Sequence, residues 1–204
     1  ATPMPRLSAQ AAAGQDADAM KVTDTVYIAG KSQKNYAREE GYVAPNPDRY
    51  SYYDGGVFTF RGDNFRRNAA FGTVEVTAER LSVLWQAELG SLRTADNGTL
   101  YGVGWTGQPA IVKWTSEVRQ MMNLYEEKKN TKALREVIFG AQDGKIYFLD
   151  LTDGTATRDP ISVGYPLKGS VSVDTYGRPL IAVGQGISKL ASGKTGSIGL
   201  HVYN

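Results

Sequence analysis

The sequence predicts an all-β chain of four-stranded antiparallel meanders, the blades of a β-propeller, and three observations carry that prediction. After Gly56, short runs of β-branched and aromatic residues alternate with Gly, Asp, Asn and Pro, which is the pattern of strands joined by tight turns. The stretch GAQDGKIYFLDLTDG, residues 140 to 154, sets the pairs Asp143-Gly144 and Asp153-Gly154 around an alternating run. Asp-Gly is a favoured hairpin centre because Gly, and tolerably Asp, takes the positive φ of a type I′ turn. The succession of strand, Gly turn, strand and Asp/Gly turn then recurs at about 40 residues, the length of a propeller blade. Such a blade cannot bury both faces alone and must stack on neighbours.

Residues 1–20 are rich in Ala, Gln, Asp and Pro without apolar periodicity, and so read as a tether that buries too little surface to offset its ordering entropy. Residues 21–55 hold one short apolar run, TDTVYIAG, followed by a polar, Tyr-rich stretch with prolines. They read as an irregular connection with one helical turn at Gln33 to Glu40. Residues 56–204 form the propeller segment. Its expected strands are VFTF, TVEV, LSVLWQAEL, PAIVKW, EVIFGAQ, KIYFLDL, GSVSVD and PLIAVGQ. In KIYFLDL, Ile146, Phe148 and Leu151 are assigned to one face and Lys145 and Tyr147 to the other. One short helical insertion interrupts the strands, because Val118, Met121, Met122 and Tyr125 fall at i, i+3, i+4 and i+7. Its methionines read as core filler.

Composition narrows the function classes. The 204 residues are 41% hydrophobic and 22% charged with a formal net charge of +2, so nothing marks a concentrated basic face for nucleic acid. No Cys is present, which excludes disulfides and thiolate chemistry while leaving the compartment open. No apolar run reaches the about 18 residues of a membrane span. The first residues lack the order of a signal peptide, so an exported chain would already have lost its signal.

AQDGKIYFLDLTDGT resembles the repeat of the quinoprotein-like β-propellers, known for their pyrroloquinoline-quinone-type repeats, through Asp143, Gly144, Ile146, Tyr147, Leu149, Asp150, Asp153 and Gly154. FTFRGDNFRRNAAFG followed by LSVLWQAELG is similar to the layout that opens many such chains. The resemblance covers residues 56 to 186 and implies a propeller, most often of about seven or eight blades. The family's quinone-holding enzymes carry a vicinal Cys pair, an indole-lined cavity and acidic calcium ligands. Without Cys, quinone-dependent dehydrogenase activity is not expected here, and neither a cofactor nor a metal is assigned. The propeller segment holds about three to four blades, so the ring is expected to be completed by further sequence or a second chain. The apolar GLHVYN reads as a strand stopped in mid-course.

The most unusual segment for binding is GVGWTGQPAIVKW, where Trp105 and Trp114 flank Gly107, Gln108 and Pro109. Gly permits close backbone approach, Trp offers a flat platform and Gln108 could fix a ligand's orientation. The structural alternative makes Trp114 a packing anchor between blades. Arg66 and Arg67 form a basic pair able to take a carboxylate or phosphate, with a salt bridge as the plainer use. SKLASGKTG nearly matches a phosphate-binding loop but lacks its first Gly, and a surface turn explains it. Arg61-Gly62-Asp63 is an adhesion tripeptide already explained by the propeller-like opening. DLTDGTATRD lacks the acid spacing of a calcium loop, and the lone His201 belongs to no visible triad. The expectation is a secreted or cell-surface bacterial binding or scaffolding module. The competing reading is a glycan-acting hydrolase or lyase with carboxylates at the propeller mouth.

Overall fold

The structure, a computed structural model, describes residues 21, 25–34, 56–62, 75, 77, 80–104, 106–175 and 177–204. The tether, TVEV and the pair Arg66 and Arg67 lie wholly or largely outside these residues. The chain divides into two units, Ala1–Ala44 and Pro45–Asn204. In the first, β1 (Val26–Ile28) pairs with β2 (Lys31–Gln33) through a turn in which Ala29 and Gly30 have φ of 49° and 76°, the backbone of a two-residue hairpin. This hairpin occupies part of the stretch read as irregular. Gln33, expected to open a helical turn, ends β2 instead.

The second unit is mostly β. A hairpin joins β3 (Ser91–Arg93) to β4 (Thr99–Tyr101). A four-stranded antiparallel sheet follows in chain order, formed by β5 (Ala110–Val112), β6 (Glu136–Gly140), β7 (Lys145–Asp150) and β8 (Ile161–Ser162). A three-stranded sheet comprises β9 (Ser172–Val173), β10 (Ile181–Gln185) and β11 (Gly199–Tyr203). Between β5 and β6 stand two short helices, α1 (Ser116–Met121) and α2 (Glu126–Lys129).

Register decides what each sheet buries. Ile138 lies opposite Phe148 and Gly140 opposite Ile146, while Val137 faces Leu149 and Phe139 faces Tyr147 on the other side. Val112, Ile138, Ile146 and Phe148 therefore join Val173, Ile181 and Val183 of the three-stranded sheet in one buried cluster. Each such side chain contributes about 1.5–3 kcal/mol on leaving water. The alternation assigned to Ile146, Phe148, Lys145 and Tyr147 matches these faces, but Leu151 does not continue it. It sits in the turn after β7, where its N–H donates to Arg135 O at 2.8 Å.

The Asp-Gly turns differ from the expected type I′ form. Gly144 has φ of +82°, whereas Asp143 is not left-handed. Gly144 N donates to Ala141 O at 3.1 Å and Ala141 N to Lys145 O at 2.9 Å, so the loop Gln142-Asp143-Gly144 is a three-residue connection ending in a left-handed glycine. Asp143 is free to serve as the turn's acceptor, taking bonds from Lys145 N, Gly90 N and the Tyr147 hydroxyl. Burial and the Asp143 carboxylate push the Tyr147 phenol up to about 12, against an ordinary 10.0. A phenol whose folded pKa exceeds its unfolded one adds stability that is complete below the unfolded value and lost as pH rises through the folded one. The melting temperature is therefore expected to fall more steeply between pH 10 and about 12 in the wild type than in Tyr147→Phe. Parallel melting curves would show that the bond carries no linkage.

The helical insertion exists, but it is broken. Thr115 caps α1 by accepting from Val118 N, and Met122 leaves the helix with extended angles, φ −81° and ψ 157°. Met122 is buried while Met121 stays 77% exposed, which corrects the expected stripe. The buried face takes Arg119 instead, whose guanidinium donates to Trp114 O at 2.8 Å and Lys129 O at 3.1 Å. LSVLWQAEL is likewise not a strand. Residues 81–89 pair with no ladder, and Leu81, Val83 and Leu84 are exposed. The segment SKLASGKTG closes on itself through the bridge Lys189↔Thr195 and meets the residue that follows β3 through Thr94↔Leu190, so it forms a turn without the helix a phosphate loop requires. GLHVYN, read as cut short, pairs with β10 along the whole of β11.

Candidate functional site

A cleft of about 360 Å³ opens beside β6, and separated parts of the chain build it. Val137 and Phe139 contribute from the side of the sheet opposite Ile138. Phe139 is held by ring stacking on Tyr147 at 5.6 Å. One wall is the strip 107–109 laid along 168–169. The Thr106 hydroxyl donates to Lys168 O, and Gln108 N donates to Ser170 Oγ at 2.9 Å. Such close contact requires Gly107, since a Cβ there would stand 2.7 Å from Ser170 N. Gly140, Trp85 and Val103 complete the lining. The Trp85 indole N–H donates to Leu151 O at 2.9 Å, and its ring lies over Gly154, where a Cβ would come within 2.6 Å.

The lining is apolar apart from Gln108 and Lys168. Gln108 Oε1 accepts from Arg61 N at 2.8 Å, which leaves its amide nitrogen as the group able to donate. Arg61 holds a left-handed φ of 56° there and Gly62 one of 86°, so these two residues form a turn, while Asp63 lies outside the described residues. Lys168 is exposed and is the charged residue of the described lining. The arrangement can enclose an apolar body while offering one cation and one amide donor to its polar end.

Of the residues singled out from sequence, Gln108 lies in this cleft, and Trp105, Arg66 and Arg67 lie outside the described residues. Trp114, offered as a flat platform, is packed inside. It is 2% exposed within the core cluster, and its indole N–H donates to Glu136 Oε2 at 2.7 Å. Glu136, fully buried, also accepts from the Thr157 hydroxyl and from Arg158 Nη2, at 2.7 Å to Oε2 and 2.8 Å to Oε1. Arg158 in turn lies over the Phe148 ring at 4.3 Å. Nearby, Lys128 on α2 pairs with Asp150 at 2.8 Å. These ion pairs fasten the helical insertion and the 155–158 segment to the sheet, with Trp114 held beside them by its bond to Glu136.

Among the described residues, no group of three or more His, Asp or Glu is placed to hold a metal, and no helix is long and apolar enough to cross a membrane. No family model, curated protein or solved structure matches the chain.

Proposed function

We propose that the chain is a binding module of the propeller type, secreted or displayed at a cell surface, whose sheets belong to a ring to which other sheets contribute. The observation that carries the binding role is the cleft beside β6, an apolar enclosure of about 360 Å³ with Lys168 and Gln108 as its polar groups. The propeller reading is supported by the sequential meander β5 to β8 and by its stacking, through one core, on the sheet β9 to β11. The ligand class that fits is an apolar or aromatic body with a carboxylate or other anionic end, because a single cation in an apolar site favours one matching anion. The glycan hydrolase reading needs two carboxyl groups flanking a bond. Glu136, Asp143 and Asp150 are engaged in internal bonds, and the described cleft lining carries no Asp or Glu, so binding is the favoured reading.

The dye 1-anilinonaphthalene-8-sulfonate, an aromatic body with one sulfonate, tests this reading. The native protein is expected to bind it saturably at one site. Lys168→Glu should weaken binding roughly tenfold, the equivalent of about 1.4 kcal/mol, with unchanged thermal unfolding. Equal binding by the wild type and Lys168→Glu would remove the cleft from the proposal.

A further inference from the structure

Among the described residues an Asn or Asp stands directly before Gly at Asn97-Gly98, Asp143-Gly144 and Asp153-Gly154. Such pairs share a chemistry, because no Cβ shields the Gly nitrogen as it approaches the carbonyl carbon of the preceding side chain. The reaction needs an N–H that is not already bound and a side chain that is not already engaged. Both Asp-Gly pairs lack these. Gly144 N donates to Ala141 O at 3.1 Å and Gly154 N to Asp150 O at 2.8 Å. The buried Asp143 carboxylate accepts from Gly90 N, Lys145 N and the Tyr147 hydroxyl. Asp153 Oδ1 accepts from Thr155 N at 2.9 Å and from the Thr155 hydroxyl at 2.6 Å. That hydroxyl also holds the Asp153 carboxyl below its usual range, in the charged form that an amide nitrogen does not attack.

Asn97-Gly98 differs on each count. It lies in the loop between β3 and β4, and both residues are exposed. Thr94 fixes the loop around them. Its hydroxyl accepts from Asn97 N at 3.0 Å, while its N–H and hydroxyl donate to Gly98 O at 2.8 and 3.0 Å. The two groups that would react are left out of this arrangement. Among the described residues Gly98 N donates to no acceptor, and the Asn97 side chain makes no hydrogen bond. Gly98 has φ of +67°, with open space where a Cβ would stand.

We infer that Asn97 is a self-modification site, converting in the folded protein to aspartate and isoaspartate through a succinimide, while the bonds at Asp143-Gly144 and Asp153-Gly154 keep those pairs unreactive. Gly98 N attacks Asn97 Cγ and forms a C–N bond that closes the imide ring. The Cγ–Nδ2 bond breaks, and ammonia leaves with the proton that Gly98 N gives up. Water then opens the ring. Breaking the Cγ–N bond gives aspartate, and breaking the bond from Asn97 C to Gly98 N gives isoaspartate, whose backbone runs through the side chain. Water is the sole co-reactant, and nothing is oxidised or reduced. Either product sets a new carboxylate beside Asp96. The inference is independent of the cleft, so its failure would leave the binding reading intact.

The test incubates the full chain in mildly alkaline buffer, folded and in guanidinium chloride, and follows the tryptic peptides by mass spectrometry and by enzymatic methylation of isoaspartyl carboxyls. The three pairs fall in separate peptides, residues 94–113, 136–145 and 146–158. In the folded chain, peptide 94–113 is expected to gain the mass difference between an amide and a carboxyl and to become methylatable, with the other two unchanged. In the denatured chain, peptides 136–145 and 146–158 should become methylatable as well. Asn97→Gln, whose longer side chain must close a larger ring, should lose the modification of peptide 94–113. An unmodified peptide 94–113 in the folded wild type, or a mass gain that persists in Asn97→Gln, would overturn the site. Equal methylation of the two Asp-Gly peptides in the folded and denatured chains would overturn the protection assigned to their hydrogen bonds.

Discussion

Glu136→Ala is expected to lower stability by about 3–5 kcal/mol in urea denaturation, the range for removing one partner of a buried ion pair. The size follows from what remains behind. Glu136 is fully buried and holds the Trp114 indole, the Thr157 hydroxyl and the Arg158 guanidinium together. Without it, the Arg158 side chain, only 16% exposed, keeps its charge with no carboxylate to meet it, and the Trp114 N–H loses its acceptor. The double replacement Glu136→Leu/Arg158→Leu should be milder than Glu136→Ala, because an apolar pair removes both charges at once. A loss below about 1 kcal/mol in the single variant, the magnitude of an exposed pair, would show that the site is hydrated and that the network does not anchor the insertion.

Gly144→Val is expected to cost about 2–5 kcal/mol, from two separable causes. A left-handed backbone costs an L-residue about 1–2 kcal/mol, more for a β-branched one. Overpacking adds about 1–3 kcal/mol, because a Cβ at Gly144 would lie 2.8 Å from both Leu92 Cδ1 and the backbone N of Tyr165. Leu92 can yield, but the 164–165 backbone is tied down by the bonds from Val163 N and Gly164 N to Gly144 O, at 2.8 and 2.9 Å. Gly144→Asn separates the causes: Asn tolerates positive φ, so its loss reports mainly the steric contact. Thermal unfolding unchanged by Val would contradict the turn geometry.

The parts of the fold legible in the sequence were those where a local signal and a long-range partner coincide. KIYFLDL alternates, an Asp-Gly pair precedes it, and an apolar partner, EVIFGAQ, lies on the other side of that turn, so β6 and β7 could be read together. The β3-β4 hairpin was missed although Asn97-Gly98 stands between its strands, because SLR and TLY are too short to show alternation. LSVLWQAEL misled for the opposite reason. Apolar content records a need for burial but names no partner strand, and Leu81, Val83 and Leu84 remain exposed. Within the insertion, a helical stripe predicted which side chains could align. It could not foresee that the chain would leave the helix at Met122, or that Arg119 would be buried by carbonyl acceptors.

The candidate site was legible only in part, for a related reason. Gly107, Gln108 and Pro109 drew attention because Trp105 and Trp114 flank them in the sequence, and they do form one wall of the cleft. Trp85, Phe139 and Lys168 reach it from other elements, and no spacing in a linear sequence joins them. Trp114 was a plausible platform by residue type, but the residue that decides its role is Glu136, 22 positions away. A Trp at the end of an alternating strand whose partner strand opens with Glu is the signal that could have indicated the anchor.

The separation of the two tryptophans into a cleft wall and a core anchor is most directly tested by following their indole N–H resonances while the sulfonated dye is added, with Trp85→Phe and Trp114→Phe providing the assignments. Each indole donates one bond within the protein, Trp85 to Leu151 O and Trp114 to Glu136, so each should give a distinct signal. The predicted result is a saturable shift of the Trp85 resonance with Trp114 unmoved. A shift at Trp114 with Trp85 unmoved, or dye binding that moves neither, would contradict the account.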